Sequence, residues 1–168
     1  MNEPDAIAEF DKALAKAVKP EQAFGALQEL VENTIGARLF TVMDVVQDDM
    51  KGRRSFTSNL QSYPASGWVM LQDNDWFDTV IRHHQTYVAN DMATITKDFA
   101  DHALIQSLGC ASIVNHPVLI NGRLVVTINI LHEQGHFTPE RVNTVASLLK
   151  IRAVAAYEHY QKLKSNRN

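Results

Sequence analysis

The chain has 168 residues, of which 45% are hydrophobic and 21% charged, with a formal net charge of -3 and one cysteine, Cys110. That size and balance describe a single ordinary globular domain, 1–168, and the lack of a basic stripe leaves nothing to hold nucleic acid or an anionic membrane surface. A lone cysteine has no partner for an internal disulfide and fits a reducing, cytoplasmic setting.

The first stretch, MNEPDAIAEFDKALAKAVKP, mixes acids and lysines into its apolar positions, so it fits neither a signal peptide nor a membrane span. Ala6, Phe10, Ala13, Leu14 and Ala17 recur at helical spacing until Pro20 closes the run. A second helix begins there, with Phe24, Leu27, Leu30, Val31 and Ile35 on one side and Gly36 as its stop. RLFTVMDVVQ, the turn DDMKG and RRSFTSN predict a hairpin over about 38 to 58. LQSYPASGWVMLQ, broken by Pro64 and Gly67, is irregular; NDWFDTVIRHH is a short helix with Trp76, Phe77, Val80 and Ile81 inward, and TYVA a short strand. The stretch 90 to 108 holds one helix near FADHALIQSL, ended by Gly109. CASIVNH is a further strand, and PVLINGRLVVTINIL is a hairpin about Asn121-Gly122, whose tolerance of positive φ suits a tight turn.

The last helix runs from Pro139 to about Lys164. Val142, Ala146, Leu149, Ala153, Ala156, Tyr160 and Leu163 form a heptad seam, and Val145, Leu148, Ile151, Val154 and Ala155 widen it. This breadth serves packing on the sheet and the N-terminal helices, or adds a homodimer bundle. Sequential hairpins between helices give an α+β class: an antiparallel sheet of five to six strands.

The pentapeptide HEQGH, 132 to 136, has the letters of a zinc-hydrolase helix. Two imidazoles four residues apart converge on a metal only when a helix stacks them on one face. Here His132 ends a strand, Gly135 turns the chain, and Thr138-Pro139-Glu140 starts a helix, so 133 to 137 is a turn. Glu158, the third ligand by sequence, lies far down that helix. No residue is assigned a metal or catalytic role.

The element order, and above all LGCASIVNHPVLINGRLVVTINILHEQGHFTPERV, resembles the C-terminal half of GAF domains. Gly109, Pro117, Gly122, Leu131, Phe137, Thr138 and Glu140 match the family's positions, while Val126 or Thr127 stands where many members have a second glycine. The resemblance covers about 20 to 163, leaving 1–19 as an N-terminal helical extension. It implies a GAF-like (PAS-like) sheet with terminal helices on one face and a ligand-pocket layer on the other. FTSNLQSYP and FADHALIQSLGCASIVNHPV also resemble segments of stand-alone bacterial GAF proteins.

In the returning strand Leu124, Val126, Ile128 and Ile130 suit the helix face, which turns Thr127 and Asn129 toward the pocket layer. Ser112 or Asn115 joins them according to register. Asp101-His102 places a carboxylate beside an imidazole, and Arg54, Ser58 and Asn59 offer a polar cluster for an anionic ligand. Tyr63 and Trp68 are candidate aromatic lids. Each has a plainer role available: local backbone bonds for Thr127 and Asn129, a helix cap for Asp101, a strand edge for Arg54 and Ser58, core for the aromatics.

The resemblance implies a cytoplasmic small-molecule sensor or regulator without activity of its own, working through a homodimer of its terminal helices or a protein partner. No cofactor is assigned. The enzymatic alternative, resembling free methionine-R-sulfoxide reductases, needs a low-pKa thiol and a resolving cysteine, and Cys110 stands alone at the start of an apolar strand. A purely structural dimer is the third reading.

Overall fold

The computed structural model describes residues 1–167; residue 168 of the expected domain lies outside the described residues. Local signals start the helices. The Asn2 side chain accepts the Asp5 N–H at the head of α1 (Glu3–Lys16), and Pro20 occupies the first turn of α2 (Pro20–Thr34), where its missing N–H has no intrahelical partner to lose. Gly36, at φ +89°, turns the chain out of α2 and into the sheet.

Among the described residues six strands follow: β1 (Leu39–Val46), β2 (Lys51–Thr57), β3 (Val69–Met70), β4 (Tyr87–Ala89), β5 (Ser112–Ile120) and β6 (Arg123–His132). They lie in the order β3-β2-β1-β6-β5-β4, and every neighbouring pair is antiparallel. The Asn121-Gly122 turn joins β5 to β6 with both residues at positive φ, +53° and +75°. CASIVNH and PVLI form one strand rather than two, because Pro117 extends the run while pairing with Thr127.

One face of the sheet carries the terminal helices. Phe40 and Val42 of β1, Val126, Ile128 and Ile130 of β6, and Val114 and Val118 of β5 pack under α2 and under α6 (Pro139–Ser165). Phe24 stands at this junction, stacked on Tyr160 at 4.5 Å between ring centres. Burial of each such side chain contributes roughly 1.5–3 kcal/mol. The inward arc of α6 draws on both apolar sets, Leu149, Ala153 and Ala156 from the first and Val145 and Leu148 from the second, while Ile151 is 65% exposed.

The opposite face holds a second core beneath α3 (Asp75–Phe77) with its π-helical continuation Asp78–Arg82, α4 (Met92–Asp98) and α5 (His102–Ser107). The single helix expected between 90 and 108 is two: Asp91 caps α4 by accepting the Thr94 N–H, and Phe99 leaves the helix in extended conformation before α5 begins. Trp76, Phe77, Val80 and Ile81 are buried as the sequence pattern requires.

Leu124 departs from expectation. Its side chain joins the second core, not the helix face, because a β-bulge leaves Val125 as an extra residue between the pairs Val118↔Val126 and Leu119↔Leu124, and strand alternation resets there. A second bulge sits in β2, where Val42 pairs with Phe56 and Met43 with Arg54, leaving Ser55 extra. Two residues apart in a regular strand share a face; here Phe56 packs on the helix-side core and Arg54 turns to the other side. No helix among the described residues is long and apolar enough to cross a membrane.

His116 lies in β5 between Val114 and Val118, its Nδ1 at 3.0 Å from Thr86 Oγ1. Burial pulls its pKa from the ordinary 6.5 down to about 4. Between those values the unfolded chain binds a proton that the folded chain refuses, so stability declines as pH falls through this window and is fully kept above it. In urea titrations from pH 7 to pH 4, His116→Gln is expected to lose less stability than the parent. Parallel pH profiles for the two proteins would contradict this.

Candidate functional site

Between the central strands and the covering layer lies a cavity of about 270 Å³. Its floor is made by side chains that alternate toward this face: Thr41 of β1, Asn129 and Leu131 of β6, Ile113 and Asn115 of β5. Adjacent registers, Thr41↔Asn129 and Asn115↔Asn129, set the three polar residues in a row across the middle of the sheet.

A directed chain of hydrogen bonds runs along that row. The indole N–H of Trp76 donates to Asn115 Oδ1 at 3.1 Å; Asn115 Nδ2 donates to Asn129 Oδ1 at 2.6 Å; Asn129 Nδ2 donates to Thr41 Oγ1 at 3.1 Å. Thr127, fully buried, adds a second bond to Asn129 Oδ1 at 3.0 Å. An indole N–H can only donate, so it fixes the orientation of the first amide, and each amide fixes the next. Asn129 Oδ1, which accepts two bonds, is thereby consumed inside the chain, while Asn115 Oδ1 accepts one and keeps a lone pair. Each asparagine keeps a second amide N–H, and Thr41 keeps its hydroxyl proton, so the floor offers donors.

Arg54, turned to this side by the Ser55 bulge, forms one wall. Its guanidinium lies over the Tyr63 ring at 3.6 Å, donates from Nη1 to the Pro64 carbonyl at 2.6 Å, and stands 3.9 Å from Asp101 Oδ2. The Tyr63 hydroxyl donates to the same Asp101 oxygen. Burial and that carboxylate push the Tyr63 phenol up, which keeps it a donor. The bonds Arg54 N–H to Ser66 Oγ (2.9 Å) and Ser66 N–H to Arg54 O (3.0 Å) hold the loop before β3 against β2, and Val69 and Met70 of β3 with Leu71 border the cavity.

Asp98, at the end of α4, also borders the cavity and is 8% exposed. Its Oδ2 accepts the Tyr87 hydroxyl at 2.6 Å. Among the described residues its Oδ1 is the one buried side-chain nitrogen or oxygen without a hydrogen-bond partner. Burial, followed by this carboxylate, pushes the Tyr87 phenol up.

Of the residues singled out from the sequence, Arg54, Tyr63, Asp101, Asn115 and Asn129 border the cavity, and Thr127 stands directly behind Asn129. Asn59, whose Oδ1 accepts the Ser62 N–H at 2.9 Å, does not reach it, and neither do Ser58, Ser112 and His102. Ser58 accepts the Phe40 N–H at 2.9 Å where β1 and β2 part; Ser112 points to the other side of β5, donating to the Glu133 carbonyl at 2.6 Å; His102 opens α5 and parts from Asp101, which faces Tyr63 instead. Asp101 makes no side-chain cap for α5. Trp68 stays off the cavity, 43% exposed, with the Arg53 guanidinium over its ring at 4.6 Å. Thr41, Trp76 and Asp98 were not foreseen as site residues. Only Trp76 carried a usable signal, since a buried indole N–H requires an acceptor.

Two other groups stand apart. Cys110 is buried outside the cavity lining, and burial pushes its thiol up, which disfavours the nucleophilic thiolate. In HEQGH the strand ends at His132, Gly135 turns at φ +73°, and Thr138 caps α6. The two imidazoles stack face to face at 3.7 Å and 9°. His136 Nε2–H donates to the Ile35 carbonyl at 2.8 Å, and His132 Nδ1 accepts the Glu133 N–H at 2.8 Å, so backbone occupies a nitrogen of each ring.

The family profile described as GAF domain matches residues 19–155. No curated protein gives a significant match. Among solved structures, the GAF domain of a phosphoenolpyruvate-protein phosphotransferase from Coxiella burnetii is similar at TM-score 0.73 and 15% identity, covering 96% of each chain. The GAF domain of a two-component sensor histidine kinase from Bacillus halodurans is similar at 0.68 and 11%, over 84% of this chain and 96% of that one. Free methionine-R-sulfoxide reductase from Neisseria meningitidis, in complex with its substrate, is similar at 0.67 and 11%, over 98% and 91%. At such identities the likeness is one of fold.

Trp76→Phe deletes the donor that orients the floor and leaves Asn115 Oδ1 buried without it. A loss of about 1–3 kcal/mol in urea denaturation is expected, with displaced NMR signals for the side-chain amides of both Asn115 and Asn129. An equally stable variant with an unmoved Asn129 amide would show that the indole does not set the chain.

Proposed function

The chain belongs to the GAF domain family, and on that premise we propose that it is a small-molecule-binding sensor or regulatory domain whose ligand occupies the cavity over β1, β6 and β5. One observation carries the reading: a cavity of about 270 Å³ whose floor is a fully oriented row of amide and hydroxyl donors. Pre-aligned polar groups set among apolar side chains are what a specific ligand site requires, and the volume, just below the usual range of about 300–1,000 Å³, suits a small metabolite.

Enzymatic turnover through cysteine has little support. Cys110 is buried, lies off the cavity and has its thiol pushed up, and the sequence holds no second cysteine to resolve an oxidised first one. For output we favour the terminal helices, in a homodimer or against a protein partner, because α6 packs on β5 from the helix side and keeps Ile151 outward. A ligand moves such an equilibrium only through unequal affinity for its two states.

Native and denaturing mass spectrometry of freshly purified protein tests the reading. A surplus mass in the native spectrum that disappears on denaturation is expected, and it is expected to be lost in Asn129→Leu. Retention of the same adduct by Asn129→Leu would move the ligand elsewhere. A bare native mass, together with no stabilisation by any class of metabolite in thermal shift, would overturn the proposal.

A further inference from the structure

The cavity has one group that the fold leaves incomplete. Asp98 is 8% exposed and holds a carboxylate oxygen with no partner, and no Lys, Arg or His pairs with it among the described residues. The neighbouring Lys97 is turned to solvent and bound to Asp75. Buried carboxylate oxygens are nearly always satisfied, and one that is not asks for a missing donor. The other charged groups on the wall are already engaged: Arg53 pairs with Asp44 at 3.0 Å, and Arg54 shares Asp101 with Tyr63. Asp98 is therefore the uncompensated charge of the cavity, and its sign is negative.

Resting on the binding reading above, we infer that the ligand is a small ammonium-bearing metabolite, with its protonated amine seated against Asp98 and an acceptor group, such as a carbonyl, carboxylate or hydroxyl, turned to the amide floor. An ammonium supplies the N–H donor that Asp98 Oδ1 lacks and the countercharge at the same point, and such charge-assisted bonds are roughly twice as strong as neutral ones. At the centre of the floor Asn129 has its oxygen filled by two bonds and an amide N–H left to offer, so this point discriminates in the opposite sense and receives acceptors. A neutral hydroxyl at Asp98 would give the bond without the charge. A multiply anionic ligand would meet an unpaired carboxylate. The chemistry is common to free amino acids and to simple amines. The two sources differ at Arg54, whose guanidinium has N–H groups beyond the one bound to Pro64 and would hold a ligand carboxylate.

The experiment is a thermal-shift and calorimetric titration of the full chain with named probes at millimolar concentration. They are the proteinogenic L-amino acids, ethanolamine and putrescine, the N-acetyl forms of any amino acid that binds, and, as anions, 2-oxoglutarate, cyclic AMP and cyclic GMP. At least one ammonium probe is expected to bind, with N-acetylation costing at least about tenfold in affinity. Asp98→Asn, which reverses one hydrogen-bonding position and removes the charge, is expected to cost a similar factor while Tyr87 keeps an oxygen acceptor. Loss of affinity in Arg54→Gln would identify an amino acid; unchanged affinity would identify a simple amine. Binding of an anionic probe with none of the amines would leave the binding reading standing and overturn this one. So would equal affinity for the free and N-acetylated forms, a comparison made on the unaltered protein and independent of how Asp98→Asn folds. Silence from every ammonium probe would also overturn it, and a native-mass adduct in that case would show that only this inference had failed.

Discussion

The cavity side of the molecule depends on one donor that cannot reverse its role. The Trp76 indole reaches the sheet from the covering layer and presents an N–H to Asn115. A histidine, serine or amide in that place could either give or accept, and the row beneath would then have two polarities of similar energy. With an indole it has one. The polarity passes from β5 to β6 to β1 by way of Asn115, Asn129 and Thr41, so a side chain on α3 determines what the floor displays three strands away. Buried networks of this kind strongly favour a unique arrangement when every member is satisfied, because each unmade bond is costly in a low-dielectric interior.

The row is possible because the sheet is buried on both faces. Helices α2 and α6 exclude water from one side with a continuous apolar core. The other side is closed by α3, α4, α5 and the loop before them. Were that second face in water, Asn115, Asn129 and Thr41 would be ordinary solvated residues with no defined orientation. The two bulges divide the chemistry between the faces. Ser55 sends Phe56 to the helix side and Arg54 to the cavity, and Val125 brings Leu124 back to the cavity-side core. Each bulge changes a strand's parity once, which lets one strand contribute to both layers without a break.

Much of this fold is legible in the sequence because its signals are local. Pro20, Thr138, Pro139 and the Asn121-Gly122 pair act within three or four residues of themselves, and the apolar periods of α2 and α6 need no partner to be seen. Thr127 and Asn129 could be placed on the cavity side of β6 by alternation alone. Parity was lost where bulges occur: nothing in RRSFTS marks Ser55 as the extra residue, and nothing in RLVV sets Leu124 apart from Val126. Ser58, His102 and Ser112 have the same polar character as residues that do border the cavity, and only their backbone partners, Phe40 and Glu133, or the divergence of His102 from Asp101, separate them. Asp98 was invisible for a related reason. In TKDFADH nothing separates it from a solvent-facing acid, and its burial comes from Tyr87 and from the packing of α4 on the sheet side, both set by tertiary structure.

Under the proposed binding function, that unpaired carboxylate oxygen connects stability with recognition. A buried polar group left without a partner costs the fold on the order of 1–3 kcal/mol, and more where charge is involved. On the protein surface the same carboxylate would be fully hydrated, and a ligand would have to strip its water before gaining anything. At 8% exposure most of that desolvation has already happened on folding, so a donor arriving at Asp98 recovers free energy that the empty protein does without. This is preorganisation in its simplest form: the cost is borne before binding, and the affinity rises accordingly. Asp98 belongs to α4 in the covering layer, whereas the amide row belongs to the sheet. On the proposed reading, a molecule that satisfies both adds a polar link between the two layers to the two that the protein makes itself, Tyr87 to Asp98 and Trp76 to Asn115, and such a contact would differ between a closed covering layer and a loosened one. That difference is the only means by which occupancy can alter the conformational balance.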